Sequence, residues 1–350
     1  MSETVPDRAQ SAIRHGGDLG RARQLFPDAP EPWIDLSTGI SPHSYPHSPI
    51  PASVFARLPE PCALDALKEV AARAFAAPSP AHVVAAPGTQ MLMPLLAQLA
   101  LERGARRGAV LSPAYAEHAR TARMAGLPVT EVLAVEDLQA CDYAVVINPN
   151  NPDGHVTERS KLLSLAGIMR EKGGLLVVDE AFIETGCGES LGSDVASEGL
   201  VVLRSFGKFY GMAGIRLGFA VAHPNLAAEL EARLGPWAVS GPALHIATQA
   251  LADDEWKNVM RGRLRQDAER LNDALRRAGL AVVGGTPLFT LVRNERAPNL
   301  FRHLAQHGIL TRIFDERPGD IRFGLPGTED EWLRLGTALY SFEAGEEIRA

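Results

Sequence analysis

The chain has only three cysteines, Cys62, Cys141 and Cys187. They are too few and too scattered for a disulfide framework, and none has the short Cys or His spacing of a zinc site. They read as reduced small hydrophobes. No apolar run approaches the ~18 residues that span a bilayer, and the opening MSETVPDRAQSAIRHGGDLG lacks the apolar core of a signal peptide. Positive charge is scarce too. Against 42 acidic residues there are 35 basic ones, a net charge of -7, so the global footprint of a nucleic-acid or anionic-membrane binder is missing. A cytoplasmic protein with no nucleic-acid and no membrane partner is the expectation. Neither G-x-G-x-x-G nor G-x-x-x-x-G-K-[ST] follows a strand-like run, which argues against a dinucleotide site or a P-loop. Gly188-Glu189-Ser190-Leu191-Gly192 matches G-x-S-x-G, but no strand directly precedes the serine, so a hydrolase elbow is not expected.

With 46% hydrophobic and 22% charged residues in 350, the composition is that of a globular protein of about two domains. The first ~50 residues are rich in Pro, His and Gly, and residues 41–51 can propagate neither a helix nor a central strand; they read as an arm or lid. Beyond them short apolar runs at 83–86, 109–111, 143–147, 175–178 and 200–203 alternate with helix-length segments. That pattern predicts a mostly parallel sheet with helices on both faces. After residue 235 the pattern changes to a long helix over 253–278 and strands at 288–292, 309–314 and 321–323. A second, smaller α+β domain is expected there.

Five lysines give the sharpest contrast. Lys68, Lys161, Lys172 and Lys257 lie in helix-like segments beside charged residues. Lys208 instead sits within LRSFGKFYGMAGIRLGF, residues 203–219, after an apolar strand and among aromatics and glycines. Desolvation there disfavours the ammonium, and a neutral amine can form a Schiff base; a snorkelling structural lysine is the plain alternative. Asp179 ends the run 175–179, at the strand edge where open α/β sheets bind ligands, and is placed to partner a pyridinium nitrogen. Asn148-Pro149-Asn150-Asn151 offers side-chain amides at that edge, or simply a turn. Gly88, Thr89 and Gln90 open a helical run over 91–101 whose amides can receive an anion, and Ser205 and Arg216 offer a hydroxyl and a guanidinium from either side of Lys208. Tyr115 follows another strand and can stack on a ring or sit at the rim.

Taken in order, Gly88-Thr89-Gln90, Tyr115, the 148–154 turn, Asp179-Glu180-Ala181-Phe182 and residues 205–219 resemble the fold-type I pyridoxal-phosphate aminotransferases of class I/II over nearly the whole chain. The flanks HGGDL (15–19), WIDLSTGI (33–40), GPWAVSGP (235–242) and IRFGLPG (321–327) look like the threonine-phosphate decarboxylase branch of cobalamin biosynthesis, with histidinol-phosphate aminotransferase as its nearest relative by pattern. The resemblance implies an α/β fold with a mostly parallel seven-stranded sheet in a large pyridoxal-phosphate-binding domain (46–240), a small α+β domain (241–350) and an arm (1–45) packed on the small domain. It implies pyridoxal 5'-phosphate linked to Lys208, which then acts as acid and base. Asp179 pairs with the pyridinium, Asn151 with the ring oxygen and Tyr115 with the ring face, while Gly88, Thr89, Gln90, Ser205 and Arg216 serve the cofactor end of the site. Arg312 and Arg322 bind an anionic substrate, and His15 reaches the phosphate of a small phosphorylated amino acid. A homodimer is implied. Three departures stand out. Phe182 replaces a tyrosine that bonds the ring oxygen in many aminotransferases, Leu58 replaces a tyrosine that reaches the partner's cofactor phosphate, and Gly207 replaces a hydroxyl residue. The core motifs serve transamination and decarboxylation equally; the flanks favour decarboxylation of L-threonine O-3-phosphate.

Overall fold

A computed structural model describes residues 15–347; the first 14 residues of the expected arm and the last three lie outside the described residues. Within the arm lie a short helix, Leu19–Leu25, capped by the Asp18 side chain, and the two-residue strand β1 (Ile34–Asp35). Seven strands follow: β2 (Val83–Ala86), β3 (Gly108–Leu111), β4 (Val129–Val132), β5 (Tyr143–Ile147), β6 (Leu175–Asp179), β7 (Leu200–Ser205) and β8 (Gly218–Ala222). They form one sheet in the order β2-β8-β7-β6-β5-β3-β4. All run parallel except β8, which is antiparallel to both β2 and β7. Successive residues alternate between two cores, with Val84, Val110, Val145, Val177 and Val201 on one face and Val83, Ala109, Val146, Val178 and Val202 on the other. Because helices cover both faces, these strands read as unbroken apolar runs.

A second sheet, β12-β13-β10-β9, is antiparallel throughout and is built from β9 (Ala281–Thr286), β10 (Phe289–Arg293), β12 (Arg312–Phe314) and β13 (Arg317–Gly324). The helix Asp254–Arg277 leads into it, close to the expected 253–278. The single strand expected over 309–314 is in fact two. Ile309–Leu310 forms β11 and pairs in parallel with β1, whereas residues 312–314 pair with β13. The backbone changes sheets at Thr311 because the arm supplies one ladder and the hairpin the other.

The proline-rich stretch 41–51 holds no helix or strand, yet its backbone is tightly placed. The Ser41 and Tyr45 amides donate to the carbonyls of Lys208 and Tyr210 at 2.9 and 3.0 Å. Ser44 Oγ donates to the Gly211 carbonyl at 2.8 Å. Gly211 has φ +64, and a Cβ there would lie 2.7 Å from the Ser41 carbonyl oxygen, so this close approach requires glycine. His43 Nε2 meets Asp267 Oδ2 at 2.9 Å on the long helix. No helix among the described residues is long and apolar enough to cross a membrane.

Candidate active site

The carboxyl ends of the parallel strands deliver their loops to one edge, and antiparallel β8 starts at that same edge. Gly88 therefore follows β2, Tyr115 follows β3, Asn151 follows β5, Asp179 closes β6, Ser205 closes β7 and Arg216 precedes β8. One cavity of about 280 Å³ gathers them with Thr89, Gln90 and Lys208, and it is completed by Arg312, Arg322 and His15 from the second sheet and the arm. All twelve site residues expected from the sequence line this cavity.

At the helix Thr89–Glu102, Gly88 serves as N-cap with φ +88. A Cβ on Gly88 would lie 2.8 Å from the Arg216 guanidinium, so backbone and cation close on each other with no side chain between them. Amides at the helix start and a guanidinium beside them make an anion seat. Arg216 itself takes φ +54 and donates to the Ala213 carbonyl at 3.0 Å.

Asp179 is buried. Its Oδ2 meets His118 Nε2 at 2.8 Å, and its Oδ1 accepts from the Ala181 amide at 3.0 Å. His118 was not singled out by sequence: it sits in the charged helix Glu117–Met124, and its partner lies 61 residues away. The adjacent Glu180 points the other way. It accepts from Ser190 Oγ at 2.6 Å, the Leu191 amide at 2.7 Å and Arg204 Nη1 at 3.0 Å. Ser190 is thereby held in a buried structural network, in keeping with the exclusion of a hydrolase elbow.

Burial lowers the Lys208 amine to about 8, with Arg322 and Arg216 adding to the effect and Asp179 opposing it. Tyr115 is half-buried, and desolvation, reinforced by Glu117 and Asp179, raises its phenol to about 12. Its ring meets His15 and His118 edge-on at 6.1 and 6.3 Å. Arg322 is buried, and desolvation, then Arg312, brings its guanidinium down to about 9. One Arg322 nitrogen bonds the Asn151 side-chain oxygen and another donates to the Ser37 carbonyl at 3.0 Å, while Nε has no partner among the described residues. Arg322 also lies over the Phe289 ring at 4.9 Å, and Phe182 meets that ring edge-on at 5.1 Å.

The asparagine-rich turn divides its work. Asn148 closes the loop on Thr157 through two hydrogen bonds, and Asn150 donates to the Pro113 carbonyl at 2.8 Å. Asn151 faces the cavity. The turn reaches the second sheet through bare backbone, since a Cβ on Gly154 would fall on the Gly285 carbonyl. Gly207 has a similar cause: a Cβ there would lie 2.7 Å from Ala213 Cα, so the loop has no room for a side chain. Among the described residues no cluster of His, Cys, Asp and Glu is suited to a metal ion.

The family profile "Aminotransferase class I and II" matches residues 53–338. Threonine-phosphate decarboxylase of Pseudomonas aeruginosa is 41% identical over 95% of this chain and 98% of its own length. Histidinol-phosphate aminotransferase 1 of Trichormus variabilis is 27% identical over 85% of this chain and 86% of its own. The structure of histidinol-phosphate aminotransferase from Sinorhizobium meliloti, in complex with pyridoxal-5'-phosphate, superposes with a TM-score of 0.78 at 20% identity, covering 99% of both chains. The profile spans most of the chain and the first relative nearly all of it: this protein belongs to the class I and II aminotransferase family.

Proposed function

We propose that the protein is a pyridoxal-phosphate-dependent carboxy-lyase that converts L-threonine O-3-phosphate to (R)-1-amino-2-propanol O-2-phosphate in cobalamin biosynthesis. The observation that carries this reading is the convergence, in one cavity, of an amine of depressed basicity, a buried carboxylate and three basic side chains from the arm and second sheet. The residues suit the cofactor. The Gly88–Arg216 cradle takes its phosphate with the amides of Thr89 and Gln90 and the Ser205 hydroxyl, Asp179 takes its ring nitrogen, Asn151 its ring oxygen and Tyr115 its face. When bound, pyridoxal phosphate supplies an electron sink for the bond broken at the substrate's α-carbon.

The chain's own groups do the rest. Lys208 Nζ, neutral in a large fraction of molecules near pH 8, acts as nucleophile and then moves a proton at the α-carbon. His118 holds the Asp179 carboxylate in place. Arg322 and Arg312 fix the substrate's anionic groups, and His15 meets its phosphate. Which bond breaks depends on which lies perpendicular to the conjugated plane, so this clamp selects the reaction. Likeness favours decarboxylation, at 41% identity to a decarboxylase against 27% to an aminotransferase.

The test is a single turnover of cofactor-loaded protein with L-threonine O-3-phosphate and no keto acid. Released carbon dioxide with the cofactor returned unchanged is the expected result; pyridoxamine phosphate without carbon dioxide would establish an aminotransferase instead. We further infer a cytoplasmic homodimer. Phe55, Leu58 and Trp237 are 66%, 65% and 58% exposed, and Leu58 and Trp237 line two hollows that share Pro59, Glu60 and Leu244. An apolar surface of that kind suits a second copy. A monomer in sedimentation of the active enzyme would refute it.

A further inference from the structure

Glu117 is the first residue of its helix, directly after the segment that brings Tyr115 to the cavity, and it is only 4% exposed. Its Oε2 is well supplied, accepting from Gln90 Nε2 at 2.7 Å and from Arg120 Nη1 at 3.2 Å. Its Oε1 is buried with no hydrogen bond among the described residues, and His15 Nε2 lies 3.5 Å from it. A buried carboxylate oxygen without a partner is costly, and His15 is the group placed to complete it. We propose that Glu117 is a positioning residue for the substrate's phosphate, holding the His15 imidazole across the mouth of the cavity.

The way His15 is mounted supports this. Its backbone is fixed on the substrate side: the Gly17 amide donates to Ser37 Oγ at 2.7 Å, and Gly16 lies so close to Ser37 that its carbonyl oxygen occupies the place of a Cβ. The Ser37 carbonyl is also the acceptor for Arg322, so the arm and the substrate arginine share one anchor. The imidazole then crosses to Glu117 on the opposite wall. Of the acidic groups at the cavity, Asp179 is engaged by His118, and Glu316 stands on the hairpin between β12 and β13; Glu117 is the carboxylate in contact with His15. The His15 side chain is 47% exposed and would otherwise sample several rotamers, so fixing it lowers the entropy lost when a phosphate binds. An imidazole N–H held there donates a charge-assisted bond to the ionised phosphate.

This role rests on the reading of His15 as the phosphate contact, and the test separates the two. Binding of O-phospho-L-threonine and of L-threonine is followed through the absorbance of the bound cofactor, with kcat and KM measured alongside. Glu117→Gln keeps the side chain's size and an acceptor for Gln90 but removes the charge. The preference for the phosphorylated ligand should fall about tenfold, a loss on the scale of one charge-assisted bond, while L-threonine binding and cofactor affinity stay within about twofold and KM rises with kcat held within about threefold. His15→Asn should cause the same loss, and the double variant should lose no more than either single one. Glu117→Asp, which keeps the charge and shortens its reach, should fall between wild type and Glu117→Gln. A wild-type preference in Glu117→Gln, equal losses for both ligands, or additive losses in the double variant would each overturn the proposal. Wild-type protein that binds both ligands equally would overturn the phosphate reading and the role of Glu117 with it.

Discussion

Asp179 closes β6 and Lys208 follows the neighbouring β7, and the register pairs Asp179 with Leu203. On that wall the neighbours are filled: both Asp179 oxygens are bonded, and the Lys208 loop is fastened by the backbone of residues 41–45. Across the cavity, Arg312, Arg322 and His15 come from β12, β13 and the arm, which no single sheet unites. There Arg322 Nε has no hydrogen-bond partner among the described residues. The contrast is physical. On the proposed function, one wall is preorganised for a group that stays, and the other keeps a donor in reserve for an anion that comes and goes. Damage to the first should appear in kcat and cofactor retention, and damage to the second in KM and selectivity.

The harshest break of this contrast is Lys208→Ala. It should lower turnover by ~10⁴-fold or more and abolish the borohydride-reducible cofactor linkage, since among the described residues no other lysine lines the cavity. Asp179→Asn keeps the shape and removes the charge; cofactor should still bind while kcat falls by ~10²-fold to ~10³-fold, the scale of a lost electrostatic partner at a reacting centre. Near-normal turnover would mean that this carboxylate does not serve the cofactor. On the other wall, Arg322→Lys should raise KM by about tenfold to a hundredfold through loss of the forked donor, with cofactor affinity unchanged. A drop in cofactor affinity instead would erase the distinction between the walls.

The gentlest test couples the two. Because burial and Arg322 lower the Lys208 amine from its usual range to about 8, the neutral, nucleophilic form grows as pH rises, reaching half at that value and near completion about one unit above it. The rate at which cofactor-free protein forms its linkage should therefore be half-maximal near pH 8 and level off about one unit above. An unperturbed lysine would keep accelerating towards pH 10. Neutralising Arg322 should move the plateau to higher pH, because its charge holds the amine down from across the cavity.

Much of the sheet was legible because strands covered on both faces leave continuous apolar runs, as at Tyr143–Ile147 and Leu175–Asp179. Others left no such trace. In β4 the central Thr130 and Glu131 are exposed, β9 carries Gly284 and Gly285, and β8 is hidden in the glycine-rich motif after the lysine. At the site, Lys208 stood out as the one lysine of five in an apolar, aromatic setting, and Asp179 by ending an apolar run. His118 and Glu117 gave no such signal, for they sit in a helix that reads as a charged surface stretch and act through partners distant in sequence. The three asparagines of the 148–151 turn are chemically alike, and only the packing of Asn148 on Thr157 and Asn150 on Pro113 separates them from Asn151.

The binding of residues 41–45 along the lysine loop has a consequence for the order in which the protein is made. Ser44 leaves the ribosome long before its partner Gly211, which is 167 residues downstream, so the arm must wait for the loop it fastens. The cofactor wall has all its strands once β8 has emerged, whereas the substrate wall lacks Arg312 and Arg322 until synthesis has passed β13. The strands that position Lys208 and Asp179 are thus complete in the nascent chain before those that carry Arg312 and Arg322.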